Sequence, residues 1–239
     1  MLNVLIVDDN LNYAANLMNF INKKNENIKV CGIVDDGEDA IKELNSNCKI
    51  DIVILDLKMP KYNGKEVLNK IKNKKIYEKS FIIVSGEIEL IRELNINNMI
   101  YTILHKSIGM QEMIDKLNEV LKQKEEIKKS KEYRNKIIRE LNFLGYDMSY
   151  KGTKYLIDTI EYIVLNNNKE VCNLEKNVYS IISKKYNDSI HNVKCNISRA
   201  NNNMYYGCEI EKLKKYFYLE KDLKPKTKMI INIITNKII

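Results

Sequence analysis

An α/β domain built on a five-stranded parallel sheet, followed by an all-helical domain, is the architecture that this 239-residue sequence predicts. Three observations carry that prediction. Short apolar, β-rich runs recur at 2–7, 28–34, 51–55, 80–84 and 100–104, with segments of helical spacing between them. Beyond residue 121 such runs stop and every periodic segment is helical. Charge changes at the same place: residues 1–121 carry 16 Lys+Arg against 18 Asp+Glu, net −2, whereas residues 122–239 carry 24 against 14, net +10.

The first helix is read over 11–22, where Leu11, Ala14, Ala15, Leu17, Met18 and Ile21 share one face. Ala40, Ile41 and Leu44 do the same in 38–44, Val67, Leu68 and Ile71 in 65–71, and Met113, Ile114, Leu117, Val120 and Leu121 in 110–121. Strands alternating with helices imply a parallel sheet with helices on both faces. The third and fourth runs are almost continuously apolar, as strands covered on both faces should be. The segment 122–132 opens a highly charged stretch and is read as a partly helical linker, since Lys and Glu favour helix. Amphipathic segments follow near 133–144, 152–166, 174–186, 190–203, 209–217 and 226–238, about six helices in 133–239. Asn runs at 166–168 and 201–203 are read as helix ends, because Asn tolerates the left-handed cap conformation.

The five cysteines (31, 48, 172, 195 and 208) are odd in number and lack paired metal-ligand spacing. They read as buried or free thiols in a reducing cytosol. No stretch approaches the roughly 20 apolar residues that span a bilayer. The expectation is a cytoplasmic protein with no membrane association. The basic second half suits a polyanion such as nucleic acid, although abundant Lys alone would give the same balance.

Two apolar runs stop at carboxylates: LNVLIVDD (2–9) at Asp8 and Asp9, and DIVILD (51–56) at Asp56. Open α/β sheets bind ligands at the carboxyl edge of their strands. Three carboxylates brought together there repel one another unless a hard cation sits among them, and Mg2+ (or Mn2+) suits such an oxygen set. Asp8 and Asp9 taken alone would also fit an ordinary helix N-terminus. Pro60 and Gly64 are read as loop geometry, with Gly64 permitting a tight turn before a helix.

VLIVDDN (4–10), LDLKMPKYNG (55–64), VSG (84–86) and LHK (104–106) stand in order at the ends of predicted strands. Over residues 1–121 the chain resembles the receiver domain of two-component response regulators, whose fold is flavodoxin-like. That resemblance implies that Asp56 accepts a phosphoryl group from a sensor histidine kinase or phosphotransfer protein. It implies that Asp9 and Asp56 ligate the metal directly, Asp8 mainly through water, and Lys58 through its backbone carbonyl. It also implies that Ser85 hydrogen-bonds the phosphoryl group, and that Lys106 pairs first with Asp56 and then with that group. The chain departs from the pattern twice. Ser107 follows Lys106 where the family has a cis-bonded Pro, and a non-proline cis bond would cost about 3–4 kcal/mol. Ile103 replaces the usual aromatic. Tyr101 is expected on the same strand face, one pleat further away. The Lys58 ammonium, at the mouth of the pocket, is weighed as a second contact to the acidic site, against a solvated lysine.

Residues 174–203 read as a helix-turn-helix. Val178, Ile181 and Ile182 mark a first helix ending at KKYN (184–187); Asp188 or Ser189 caps a second, with Ile190, Val193 and Ile197 inward. His191, Asn192, Lys194, Cys195, Ser198 and Arg199 are then left outward as candidate DNA contacts, with Lys184 and Lys185 as candidate phosphate contacts. Solvated polar faces look alike at this level. The stretches 137–163, 178–200 and 224–238, with LGYDMSYKGTKYL, SKKYN and KPKTKMI as they stand, resemble the DNA-binding domain of the stage-zero sporulation transcription factor family of endospore-forming Firmicutes. That resemblance implies a phosphorylation-controlled transcription factor binding double-stranded DNA, a homodimer on phosphorylation, with RNA polymerase as a further partner. It does not imply the family's operator: Asn192, Lys194, Cys195 and Ser198 stand where the family has several Arg and a Glu. The other reading is a divergent receiver protein that acts through protein–protein contact or phosphoryl titration. A free-standing enzyme is disfavoured, since no nucleophile–base pair or metal motif appears outside the Asp56 pocket.

Overall fold

The structure, a computed structural model, describes residues 1–239 apart from 47–48, 73–79, 93, 95–98, 167–172 and 222. Cys48, Cys172 and the Asn pair 167–168 therefore lie outside the described residues. The chain divides into two compact units, Met1–Gln123 and Lys124–Ile239.

The first unit alternates β1 (Leu2–Val7), α1 (Leu11–Lys24), β2 (Ile28–Val34), α2 (Gly37–Ser46), β3 (Ile52–Asp56), α3 (Gly64–Lys72), β4 (Ser80–Ser85), α4 (Ile88–Arg92), β5 (Ile100–His105) and the start of α5 (Met110–Phe143). All pairings are parallel and the strand order is β2-β1-β3-β4-β5, the flavodoxin-like order. The pleat sends alternate side chains to opposite faces. Val4, Ile6, Ile52, Ile54, Ile82 and Val84 pack with Leu17 and Ile21 of α1 and Met113 and Leu117 of α5. Leu5, Val7, Val53, Leu55, Phe81 and Ile83 pack with Leu44 of α2 and Val67 and Leu68 of α3. The two faces are each covered by helices, which explains the almost unbroken apolar runs of β3 and β4.

Local chemistry starts the helices. Asn10 caps α1 by accepting from Tyr13 N at 3.0 Å. Asp36 accepts from the N–H groups of Glu38 (2.7 Å) and Asp39 (3.1 Å) at the start of α2. Asn63 and Glu66 form a reciprocal capping box on α3, at 3.0 and 2.9 Å. Gly64 has a reason other than the tight turn expected: a Cβ there would lie 2.4 Å from the carbonyl oxygen of Asp56. The glycine lets α3 begin directly against the end of β3.

The second unit holds the end of α5, α6 (Lys151–Leu165), a π-helical turn at Glu175–Tyr179 running into α7 (Ser180–Tyr186), α8 (Ile190–Gly207), α9 (Ile210–Phe217) and α10 (Thr227–Ile238). Its core gathers Leu141, Leu156, Ile160, Ile182, Val193, Ile197, Phe217 and Ile234, among others. Asn187, in the left-handed region at φ 49°, closes α7, and Ser189 rather than Asp188 caps α8 by accepting from Asn192 N at 3.0 Å. Three expectations need correcting. Residues 122–132 are helical throughout, as part of α5. Residues 201–203 do not end a helix: α8 continues to Gly207, and Asn201 is buried within it. Ile190, expected inward, is 39% exposed, because it occupies the first turn of α8.

Gly152 lies where α6 packs directly against the backbone of α8. A Cβ there would meet the backbone oxygen of Asn196 at 2.0 Å, so α6 and α8 touch backbone to side. Among the described residues no helix is long and apolar enough to cross a membrane. Cys31, Cys195 and Cys208 are free thiols.

Candidate functional site

The first site lies where β1, β3, β4 and β5 end. Asp8 follows β1, Asp56 ends β3, Ser85 ends β4 and Lys106 follows β5. The strand ends bring Asp8, Asp9 and Asp56 together, with one carboxylate oxygen from each within 4.8 Å of the others. Asp8 (3%) and Asp56 (2%) are buried, while Asp9 is exposed toward the opening. Lys106 Nζ stands 2.6 Å from Asp56 Oδ2 and 2.9 Å from Asp8 Oδ2. Burial pushes the Asp56 carboxyl up, and the Lys106 ammonium and the Lys58 backbone N–H only partly offset it. Burial opposes the charge on Lys106, but its bonds to Asp56 and Asp8 prevail and hold the ammonium above the usual lysine range. One ammonium therefore balances two buried carboxylates, and a further cation is electrostatically favoured there.

Ser85 is fully buried; its Oγ accepts from Glu87 N at 3.2 Å, and its carbonyl accepts from Lys106 N at 3.0 Å. The hydroxyl-bearing and ammonium-bearing loops are thus tied to each other. Lys58 donates its backbone N–H to Asp56 Oδ1 at 3.2 Å. Its ammonium does not reach the carboxylates: it pairs with Glu87 at 2.6 Å. The described residues contain no cis peptide, so the Lys106–Ser107 bond is trans and the Ser107 loop is held locally, by Ser107 Oγ and His105 Nδ1 at 2.7 Å.

Tyr101 is not on the face of Ile103. The β4–β5 register shifts between Phe81 and Ile82, which pair with Ile100 and Thr102. That irregularity puts Tyr101 against the α1–α5 side, where its hydroxyl donates to Glu119 at 3.3 Å and accepts from Gln123 at 3.2 Å. Ile103 packs into the opposite cluster. In a second acidic group, Asp35, Asp36 and Asp39, Asp36 caps α2 and Asp39 pairs with Lys42 at 2.9 Å.

The second candidate surface is on α8. Val193 and Ile197 are buried, whereas His191, Asn192, Lys194, Ser198 and Arg199 are exposed and Cys195 is half-buried. Several are engaged. Asn192 Nδ2 donates to Asp188 Oδ1 at 2.8 Å, Lys194 pairs with Glu175, and His191 Nε2 lies 3.4 Å from Cys195 Sγ. Lys184 and Lys185 are exposed at the end of α7, and Lys185 Nζ reaches Asp158 Oδ2 at 2.5 Å.

Asp158 was not singled out from the sequence. It is 3% exposed and holds Arg134 Nη1 at 2.6 Å, Tyr186 Oη at 2.9 Å and Lys185, joining α5, α6 and α7. Burial alone would push its carboxyl up; the bonds from Lys185, Arg134 and Tyr186 outweigh it and hold the carboxyl down. Its signal in the sequence is a lone Asp inside the apolar stretch YLIDTIEYI (155–163), since such an acid must be paired if it is buried.

Comparison with known proteins agrees with both halves. Residues 4–118 match the family model for the response regulator receiver domain, and residues 135–238 match that for the sporulation initiation factor Spo0A C terminal. The chain belongs to the Spo0A-like response regulators. Among curated relatives, this Spo0A-like chain is 35% identical over 97 residues to the protein-glutamate methylesterase/protein-glutamine glutaminase of Bacillus subtilis (strain 168), covering 41% of this chain and 26% of that protein. It is 38% identical over 71 residues to the response regulator UvrY of Escherichia coli (strain K12), covering 30% of this chain and 32% of that protein. The chain thus matches about a quarter to a third of those relatives' lengths, and the methylesterase likeness is confined to the receiver half. A solved DNA-binding response regulator of the LuxR family from Staphylococcus aureus is 23% identical with a TM-score of 0.44, over 50% of this chain and 98% of that one. The Spo0A-like chain thus joins a response-regulator receiver domain to a Spo0A-type C-terminal domain.

Proposed function

We propose that phosphorylation of Asp56 controls DNA binding by this chain, and that it reads a different sequence from its family's usual operator. The observation that carries the first half is the Lys106 ammonium, from the end of β5, shared by two buried carboxylates, Asp56 and Asp8, at the ends of the adjacent strands β3 and β1. Mg2+ (or Mn2+) fits this donor set. Asp9 and Asp56 would ligate it directly, Asp8 through water, and Lys58 through its carbonyl, and when bound it would supply positive charge to offset that of phosphoryl oxygens. The Asp56 carboxylate attacks the phosphorus of a phosphohistidine on a sensor histidine kinase or phosphotransfer protein. A P–O bond forms, the N–P bond breaks, and the imidazole leaves with the bonding pair. Lys106 then pairs with the new phosphoryl group, and the Ser85 hydroxyl donates to it.

We assign the boundaries as receiver 1–121, linker 122–132 and effector 133–239, in a cytoplasmic protein that dimerises on phosphorylation. His191, Asn192, Lys194, Cys195, Ser198 and Arg199 would face bases or backbone, and Lys184 and Lys185 phosphates. RNA polymerase is a further partner on this reading. Incubation with a small-molecule phosphoryl donor and Mg2+ tests the acceptor role. Intact mass should show one added phosphoryl group on the wild type and none on Asp56→Ala; equal labelling would overturn it.

A second reading has an observation of its own. Lys185 and Lys194, two cations of the candidate DNA surface, are already paired with Asp158 and Glu175. A chain that titrates phosphoryl groups or binds partner proteins without an operator would tolerate such pairing. Binding that is sequence-indifferent and abolished at physiological salt would favour it.

A further inference from the structure

Asp188 sits in the turn between α7 and α8, one residue before the Ser189 cap. It does not cap a helix, yet both of its carboxylate oxygens are fully used. Oδ2 accepts from Lys151 Nζ at 2.8 Å and from Tyr155 Oη at 2.7 Å. Oδ1 accepts from Ser189 N at 2.8 Å and from Asn192 Nδ2 at 2.8 Å. Its backbone N–H donates to Ser183 O at 2.9 Å. Lys151 and Tyr155 lie four residues apart on α6, so they share one face of that helix and hold the carboxylate from the same side.

The consequence falls on Asn192. An exposed Asn amide can turn over and exchange its oxygen with its nitrogen at little cost. Here a carboxylate oxygen stands at hydrogen-bond distance, and a carboxylate only accepts. The group beside it must be the NH2, and the carbonyl oxygen must point the other way. One N–H and the carbonyl oxygen of Asn192 remain unused by Asp188. That donor and acceptor match adenine, which offers N7 as acceptor and N6–H as donor in the major groove. The Lys151 ammonium also offsets the Asp188 charge, which would otherwise repel phosphates at the start of α8.

We propose that Asp188, locked by Lys151 and Tyr155, is a specificity-determining residue that orients the Asn192 amide to read adenine in duplex DNA. The inference rests on the reading of α8 as the DNA-reading helix. It adds a residue that does not itself touch the base.

The test is site selection from randomised duplexes by the full chain, in wild type, Asp188→Ala, Asn192→Ala, the double variant and Tyr155→Phe. Wild type should select a site containing an adenine position that Asn192→Ala erases. Asp188→Ala should relax the preference for adenine over guanine at that same position by about tenfold, within the range that one bidentate contact supplies, with the other positions still selected. The double variant should lose no more than the single ones, as expected for residues acting through one contact. Tyr155→Phe removes only one locking bond and should relax the same position by about threefold, so the inference stays testable if Asp188→Ala folds poorly. Unchanged adenine preference in Asp188→Ala and Tyr155→Phe would overturn the inference, and so would a uniform loss at every position. A wild type that selects no sequence would overturn the DNA-reading assignment itself, and this inference with it.

Discussion

Lys106 Nζ lies 2.6 Å from Asp56 Oδ2 in a pocket where both carboxylates it touches are almost fully buried. The ammonium arrives from the end of β5 and the carboxylate from the end of β3, two strands apart in the sheet. Removing it by Lys106→Met leaves Asp8 and Asp56 without their cation. A fully buried pair broken on one side costs about 3–5 kcal/mol; because Lys106 is 27% exposed, about 2–3 kcal/mol is expected by urea unfolding. Millimolar Mg2+ should recover more stability in the variant than in wild type, since the ion takes over the ammonium's role. Equal Mg2+ effects in both would contradict this account of the pocket.

Asp158 predicts an acid limb of the effector unit. Its carboxyl is held below the usual range in the folded protein. A depressed folded value gives stability that is present above the unfolded value, about 3.9, and lost as pH falls through the folded one. Asp158→Asn should therefore flatten the decline of stability below about pH 4. Asp158→Ala should cost about 2–3 kcal/mol at neutral pH, through the lost bonds to Arg134, Lys185 and Tyr186. Thermal unfolding across pH 3–7 checks both.

At Gly152 backbone proximity dominates. A Cβ 2.0 Å from Asn196 O cannot be absorbed by a flexible side chain, so Gly152→Ala should push α6 from α8 and cost about 2–3 kcal/mol. Gly207→Ala, with nothing within 4 Å of its Cβ, should change stability by less than about 0.5 kcal/mol. Similar losses at the two positions would mean that the α6–α8 approach is not the constraint.

Glu175 competes for Lys194. Glu175→Gln should free that ammonium and steepen the dependence of log binding constant on log salt by about one unit for an unrelated duplex. The measurement is a salt titration of duplex binding; an unchanged slope would mean that Lys194 contacts no phosphate.

The receiver pocket was legible because strand ends and chemistry coincide: an apolar run that stops at Asp56 places that carboxylate at a sheet edge. Helix spacing likewise located α8 and its buried Val193 and Ile197. What escaped reading depends on contacts between elements distant in sequence. Asp158, Arg134 and Lys185 come from three helices, and no local pattern links them. The side of β5 that holds Tyr101 turns on a one-residue register shift between β4 and β5, which alternation within a single strand cannot reveal. Ile190 is exposed because it lies in the first turn of α8, which a helical wheel does not distinguish from the helix interior. The linker was read as partly helical, and the structure carries α5 through it because nothing in 122–132 breaks a helix.

The most direct test of Asp56 control is genome-wide occupancy of DNA by wild type and by Asp56→Ala, compared under conditions that activate the cognate kinase. The account predicts that wild type occupies a defined set of sites and that Asp56→Ala loses most of them at equal protein level. Identical occupancy by the two proteins would contradict it.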